Sequence, residues 1–221
     1  MKLILVLSSL LLTNLVFGQI NYSSEDSGTF QTGNIDSPFL RVSTSTGNKI
    51  EGSIYLDENW GQAIITDSQS NKTTSMAKFN AYHSEIEILK DDQVSSLIPV
   101  DGLKVFLNNR QFTPISIQDK PKTIFAEILV DGKNELYKVY DIKINKAPSD
   151  AKLLSIESTD KVVITSTLYY NKENEIIKYP ASKRDIKENL SAETINVAKN
   201  NNLSLKKEED IIKLFEYLNS L

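Results

Sequence analysis

The chain has no cysteine, and that absence removes more chemistry than any other feature of its sequence. Thiolate nucleophiles, disulfides, iron–sulfur ligation and cysteine-built zinc sites are all excluded. Histidine occurs once, at His83. A metal centre built on it would need carboxylates for most of its other ligands, and no HExxH spacing exists. A serine nucleophile would have only His83 as its histidine base, and no GxSxG elbow picks out the serine. The glycines are few, and Gly28, Gly33 and Gly47 sit in a polar stretch instead of between a strand and a helix. A glycine-rich phosphate loop and a dinucleotide fingerprint are therefore missing. The acidic turns Asp57-Glu58-Asn59 and Asp131-Gly132-Lys133-Asn134-Glu135 lack the alternating ligand spacing of an EF-hand.

The only long apolar run is at the start. Met1-Lys2 supplies a minimal positive region, and residues 3–17 are apolar but interrupted by Ser8, Ser9, Thr13 and Asn14. About 15 residues of this kind fall short of the roughly 20 needed to cross a hydrocarbon core. Val16 and Gly18 occupy the −3 and −1 positions of a small-residue cleavage site. Residues 1–18 are thus expected to be a cleaved signal peptide with Gln19 as the mature N-terminus, and no membrane span is expected after cleavage. Lipidation at the cut is impossible without a cysteine. The expected location is the periplasm or the extracellular medium, where the mature chain stands on packing and hydrogen bonds alone. A net formal charge of −4 argues against a general nucleic-acid or anionic-membrane binder.

Along the chain, residues 19–49 form a Ser/Thr/Asn/Gly-rich, partly ordered lead-in, with one short edge strand expected at 39–42. Residues 50–180 read as a β-rich body. Strands are expected at 50–56, 62–66, 76–82, 84–89, 103–107, 115–117, 123–130, 136–144, 162–170 and 175–179, punctuated by Asn108-Asn109, Asp131-Gly132 and 171–174. Glu85 and Glu87 alternate with Ile86 and Ile88, the period of a half-buried strand whose glutamates face solvent. Met76, Phe79, Tyr82 and Ile86 also fit a helical spacing, so a helix over 75–89 is the competing expectation. From 181 the code changes. Ser182 and Asp185 resemble a capping box, and Ile211, Leu214, Phe215 and Leu218 make an i, i+3, i+4, i+7 stripe. Residues 181–221 are expected to be a helical subdomain packed on the body. The fold class is α+β: an antiparallel, hairpin-built β body with a short C-terminal helical unit.

No residue is singled out as catalytic, cofactor-binding or metal-ligating, and no cofactor is implied. His83 reads first as a turn residue. Asp57/Glu58, Glu85/Glu87, Asp91/Asp92 and Glu173/Glu175 sit near strand ends, where the acid and base of a glycosidase could pair. Among the aromatics, Trp60 and Tyr170 adjoin turns and are the first candidates for a ligand platform, and core packing is the reading for most of the rest. Val16-Phe17-Gly18-Gln19 looks like a Bacteroidetes signal junction. Gly52-Ser53-Ile54-Tyr55-Leu56-Asp57-Glu58-Asn59-Trp60, Lys78-Phe79-Asn80-Ala81-Tyr82, Glu85-Ile86-Glu87, Leu168-Tyr169-Tyr170 and the closing segment from Glu208 to Leu221 resemble uncharacterised exported proteins of those bacteria. The resemblance implies export and supplies no functional residues. By elimination, the expected function is a non-enzymatic envelope or secreted binding or structural protein, its partner another envelope protein or a polymer. The alternatives are a small carboxylate-based hydrolase of envelope polymers and a periplasmic carrier of a small apolar ligand.

Overall fold

The computed structural model describes residues 50–90, 92–146 and 159–221. The expected signal peptide, the lead-in and its strand at 39–42 lie outside them. The described strands are β1 (Ile50–Glu51), β2 (Gly61–Thr66), β3 (Lys72–Asn80), β4 (Glu85–Lys90), β5 (Gln93–Ser96), β6 (Lys104–Leu107), β7 (Arg110–Ile115), β8 (Ile124–Val130), β9 (Leu136–Asn145), β10 (Asp160–Lys172) and β11 (Glu175–Lys178). They form one sheet in the order β1-β10-β9-β8-β7-β6-β2-β3-β4-β5, with β11 also paired to β10. Only the two-residue β1–β10 contact is parallel, so β2 to β11 make a ten-stranded antiparallel sheet. Three of its hairpins close in two residues, between Lys90 and Gln93, Leu107 and Arg110, and Lys172 and Glu175. Asn108-Asn109 (φ 49° and 62°) and Glu173-Asn174 (φ 55° and 69°) both adopt the positive φ values that a tight hairpin with matching twist demands.

The helical alternative for 75–89 does not occur: β3 and β4 pair as strands, Phe79 opposite Ile86. The alternation of β-branched and apolar residues outweighs a helical spacing that would leave Ile88 off the stripe. Three other expectations shift. The strand expected at 50–56 stops at Glu51, and Tyr55 makes only an isolated bridge to Asn80. The segment 115–117 is the end of β7, with Ile117 beyond it in the following loop. Strand β5, with all four residues exposed, carries no periodic signal and was not expected.

One face of the sheet buries Ala63, Ala77, Phe79, Ile86, Val105, Leu107, Phe112, Phe125 and Tyr140 in a single cluster. These residues come from strands far apart in the sheet order, so the β2–β4 part folds over β6–β9. Phe79 stacks on Phe112 with ring centroids 4.7 Å apart. Two hydrogen bonds stitch the fold-over: Phe125 N–H to the Ser84 carbonyl at 2.9 Å and Ser84 Oγ to the Tyr140 carbonyl at 3.1 Å. The opposite face buries Ile115, Ile124, Ala126, Tyr137, Val139 and Tyr169, capped by Ile117 from the β7–β8 loop.

Three helices follow: α1 (Lys183–Asn189), α2 (Ala192–Asn200) and α3 (Glu208–Ser220). Ser182 caps α1 by accepting from Asp185 N–H at 3.1 Å, and Ser191 caps α2 by accepting from Thr194 N–H at 3.0 Å. Each such cap satisfies an amide that the first turn leaves open. Helix α3 buries Ile211, Leu214 and Phe215, with Ile211 and Phe215 in one cluster with Val130, Leu136, Tyr170 and Tyr179. Each fully buried aliphatic or aromatic side chain contributes about 1.5–3 kcal/mol. Polar contacts fix the helix at both ends. Glu208 pairs with Lys138 at 2.5 Å, and Asn219 accepts from Asn134 N–H at 2.7 Å while donating to the carbonyls of Asn134 and Asp131.

Candidate functional site

The hairpins and loops at one end of the second face surround a cleft of about 660 Å³. That volume is within the range of about 300–1,000 Å³ typical of ligand sites. Its lining includes Lys104 from β6, Thr113 and Ile115 from β7, and Glu135 and Tyr137 at the start of β9. Asn174 and Glu175 come from the β10–β11 hairpin, and Ser116, Gln118 and Thr123 from the β7–β8 loop. The buried apolar cluster of Ile115, Tyr137 and Tyr169 anchors this face. Strands hold Lys104, Thr113, Tyr137 and Glu175, while turns and loops supply Asp101, Ser116, Gln118, Thr123, Glu135 and Asn174.

Most of those polar groups already have a partner. Lys104 Nζ is 2.7 Å from Asp131. Glu135 accepts from Asn171 Nδ2 at 2.9 Å and from the Tyr137 hydroxyl. Thr113 Oγ1 donates to the Leu103 carbonyl at 3.0 Å, and Ser116 and Thr123 share a 3.0 Å hydroxyl–hydroxyl bond. Burial, then the Glu135 charge and the hydrogen bond to it, push the Tyr137 phenol far above its ordinary range. Tyr137 is a neutral donor at any physiological pH. Asp101, Glu135 and Glu175 give the lining an excess of negative charge over Lys104. Such a lining offers fixed acceptors to hydroxyl, amide or cationic groups.

Residues singled out in the sequence lie elsewhere or in unexpected roles. His83 sits in the turn between β3 and β4, half-buried, its N–H donating to Asn80 Oδ1 at 3.1 Å and its ring edge-on to Tyr82. Tyr170 is no exposed platform: it is buried against Tyr179 and Phe215, and its hydroxyl donates to the Asn189 carbonyl at 3.1 Å. Trp60 lies 5.0 Å from Lys78 Nζ, which also lies 4.9 Å from the Tyr55 ring. Asp57 pairs with Arg110 at 2.8 Å.

Glu85 and Glu87 do not both face solvent. Tyr55 pairs with Asn80 at the end of β3 and its hydroxyl reaches Glu87, which is only 5% exposed. Glu87 accepts from Asn80 Nδ2 at 2.7 Å and from the Tyr55 hydroxyl at 3.0 Å, the partners a buried carboxylate requires. Glu85 stays half-exposed. Burial would raise its carboxyl, but the hydrogen bonds from Lys122 and Ser96 and the Lys122 charge outweigh it and hold Glu85 below its ordinary range. Glu175 lines the cleft, whereas Glu173 occupies the adjoining turn. Asp91 lies outside the described residues, and Asp92 is an exposed turn residue with φ 60°.

Lys104, Thr113, Gln118, Glu135 and Asn174 were not picked out from the sequence. The nearest signals were the turns at 131–135 and 171–174, which the curled sheet brings to one opening. Among the described residues, no three acidic or histidine side chains converge as a metal site, and no helix is long and apolar enough to cross a membrane. Comparison with family models, curated proteins and solved structures finds no match to this chain.

Proposed function

We propose that the chain is exported by its N-terminal segment and acts as a non-enzymatic binding protein of the envelope or the medium, holding a hydroxyl- and amide-rich polymer in the cleft. The observation that carries this reading is the engagement of the cleft's polar groups. Glu135, Tyr137, Lys104, Thr113, Ser116 and Thr123 are fixed by hydrogen bonds or ion pairs. A recognition surface profits from such pre-orientation, because little ordering is left to be done on binding. A nucleophile or general base must instead be poised against a group it can exchange a proton with.

A second reading has one observation in its favour: Glu135 and Glu175 line the same cleft, as the acid and base of a carboxylate hydrolase would. Cosedimentation with isolated peptidoglycan, with the soluble fraction assayed for released fragments, separates the two. The binding reading expects saturable retention without fragments, and retention reduced about tenfold by Lys104→Ala with Gln118→Ala, as loss of one or two polar contacts predicts. Fragment release abolished by Glu135→Gln would establish the hydrolase instead. Absence of retention would remove the polymer-binding reading.

A further inference from the structure

Strand β10 is long, and among the described residues its outer edge is covered only at the two ends. At its start, Ile50 and Glu51 of β1 stand opposite Asp160 and Lys161. At its end, β11 pairs from Tyr169 to Lys172, and Tyr179 N–H adds one more bond to the Leu168 carbonyl at 2.8 Å. Between them, no strand among the described residues pairs with residues 162–168 on that side. The two-residue turn at Glu173-Asn174 fixes which groups face outward. Lys172 opposite Glu175 is the closing hydrogen-bonded pair, so even-numbered residues of β10 present N–H and C=O to the edge and odd-numbered ones to β9. The Asn171 N–H bond to the Glu135 carbonyl at 3.2 Å agrees with that parity. Ile164 and Ser166 therefore offer their amides and carbonyls outward, in a slot of about 13 Å from residue 163 to 167 at ~3.3 Å per residue.

Gly52 creates the near end of the slot. Its φ of +107° turns the chain off β10, and a Cβ there would stand 2.4 Å from the Val162 carbonyl oxygen. Only glycine can leave the strand at this point. The edge it exposes, Val162-Val163-Ile164-Thr165-Ser166-Thr167-Leu168, is β-branched almost throughout and carries no charge or proline. Natural sheets usually blunt an open edge with such residues; this one is left able to pair.

We propose that this slot is a β-augmentation site for one extended, uncharged peptide segment of a partner protein. A second copy's β10 does not fit. Paired strands stand about 4.8 Å apart, the offset at which β1 and β11 already flank the slot, so a long β10 would collide with both. A short segment that bends away at each end meets no such obstacle. Its chemistry follows from the edge: a charged side chain opposite 162–168 would find no countercharge, while Val or Thr would pack beside Ile164, Thr165 and Leu168. The inference is independent of the cleft, which lies on a sheet face and not on this edge.

The test uses acetyl-Thr-Val-Thr-Val-Thr-amide at millimolar concentration with residues 19–221, read by residue-resolved amide exchange. Exchange at Ile164 and Ser166 is expected to slow by about tenfold or more as the new ladder forms. The same peptide N-methylated at alternate residues, which lacks the edge donors, is expected to do nothing. Ser166→Pro should abolish the protection of Ile164 while keeping the fold, because the Ser166 N–H makes no bond to β9. Three results would overturn the site: unchanged exchange at both residues, protection by the N-methylated peptide as well, or amides already slow without peptide because another segment of the same chain fills the slot.

Discussion

Five buried tyrosines show what single side chains contribute to this fold. Tyr137, Tyr140, Tyr169, Tyr170 and Tyr179 all have phenols raised above their ordinary value, with burial the leading cause in each. Tyr179 is pushed up to about 12, by burial first and then by Tyr170. For Tyr140, the hydrogen bond to the Glu127 carboxylate adds to burial. The sign of the pH dependence follows. The unfolded chain loses phenolic protons at about pH 10, while the folded chain retains them. The stability these groups lend is fully present below about pH 10 and falls as pH rises toward 12. In a spectrophotometric titration, these five of the chain's 9 tyrosines are expected to ionise only as the protein unfolds. A single transition near pH 10 in a chain that stays folded would refute their burial.

At the scale of elements, one side chain, Asn219, ties the loop of the β8–β9 hairpin to the end of α3. Asn219 satisfies the backbone of Asn134 on both its N–H and C=O and reaches the Asp131 carbonyl. Asn219→Ala is therefore expected to cost about 1–3 kcal/mol, the penalty for leaving half-buried backbone groups unpaired. Urea titration would show it as a lower midpoint with unchanged slope. A loss below a few tenths of a kcal/mol would mean that packing of Leu214 and Phe215 alone sets the helix. That helix was legible in the sequence because Ile211, Leu214 and Phe215 repeat at its period, and the antiparallel hairpins were legible because asparagine pairs and alternation mark them. Strand β5 was not, since Gln93-Val94-Ser95-Ser96 has one apolar residue and no buried face. Glu87 misled for a related reason: alternation tells which residues share a face, but not that Tyr55 and Asn80 reach across to bury it. The cleft was invisible because its lining comes from five separate stretches, joined only by the curl of the sheet.

At the scale of the molecule, a cysteine-free chain builds one wide sheet whose two faces serve different ends. One closes on itself and on the helices. The other gathers three polar loops into an opening, while Phe106 of β6, Ile64 of β2, Met76 of β3 and Val94 of β5 remain 40–46% exposed. Ile64 stands opposite Phe106, and Leu89 opposite both Met76 and Val94, so these residues form a stripe across the strands, whereas the cleft is a concave surface with converging polar groups. The engagement of its polar groups is what favours the proposed binding role over catalysis. The most direct test places a photo-crosslinking residue at Gln118 on the cleft lip, with a control at Lys213 on the exposed side of α3, and irradiates intact cells of the source organism. The account predicts one dominant adduct from position 118 only, with an envelope polymer or envelope protein, on a chain whose first residue is Gln19. Adducts with cytoplasmic proteins, a retained Met1, or equal adducts from both positions would contradict it.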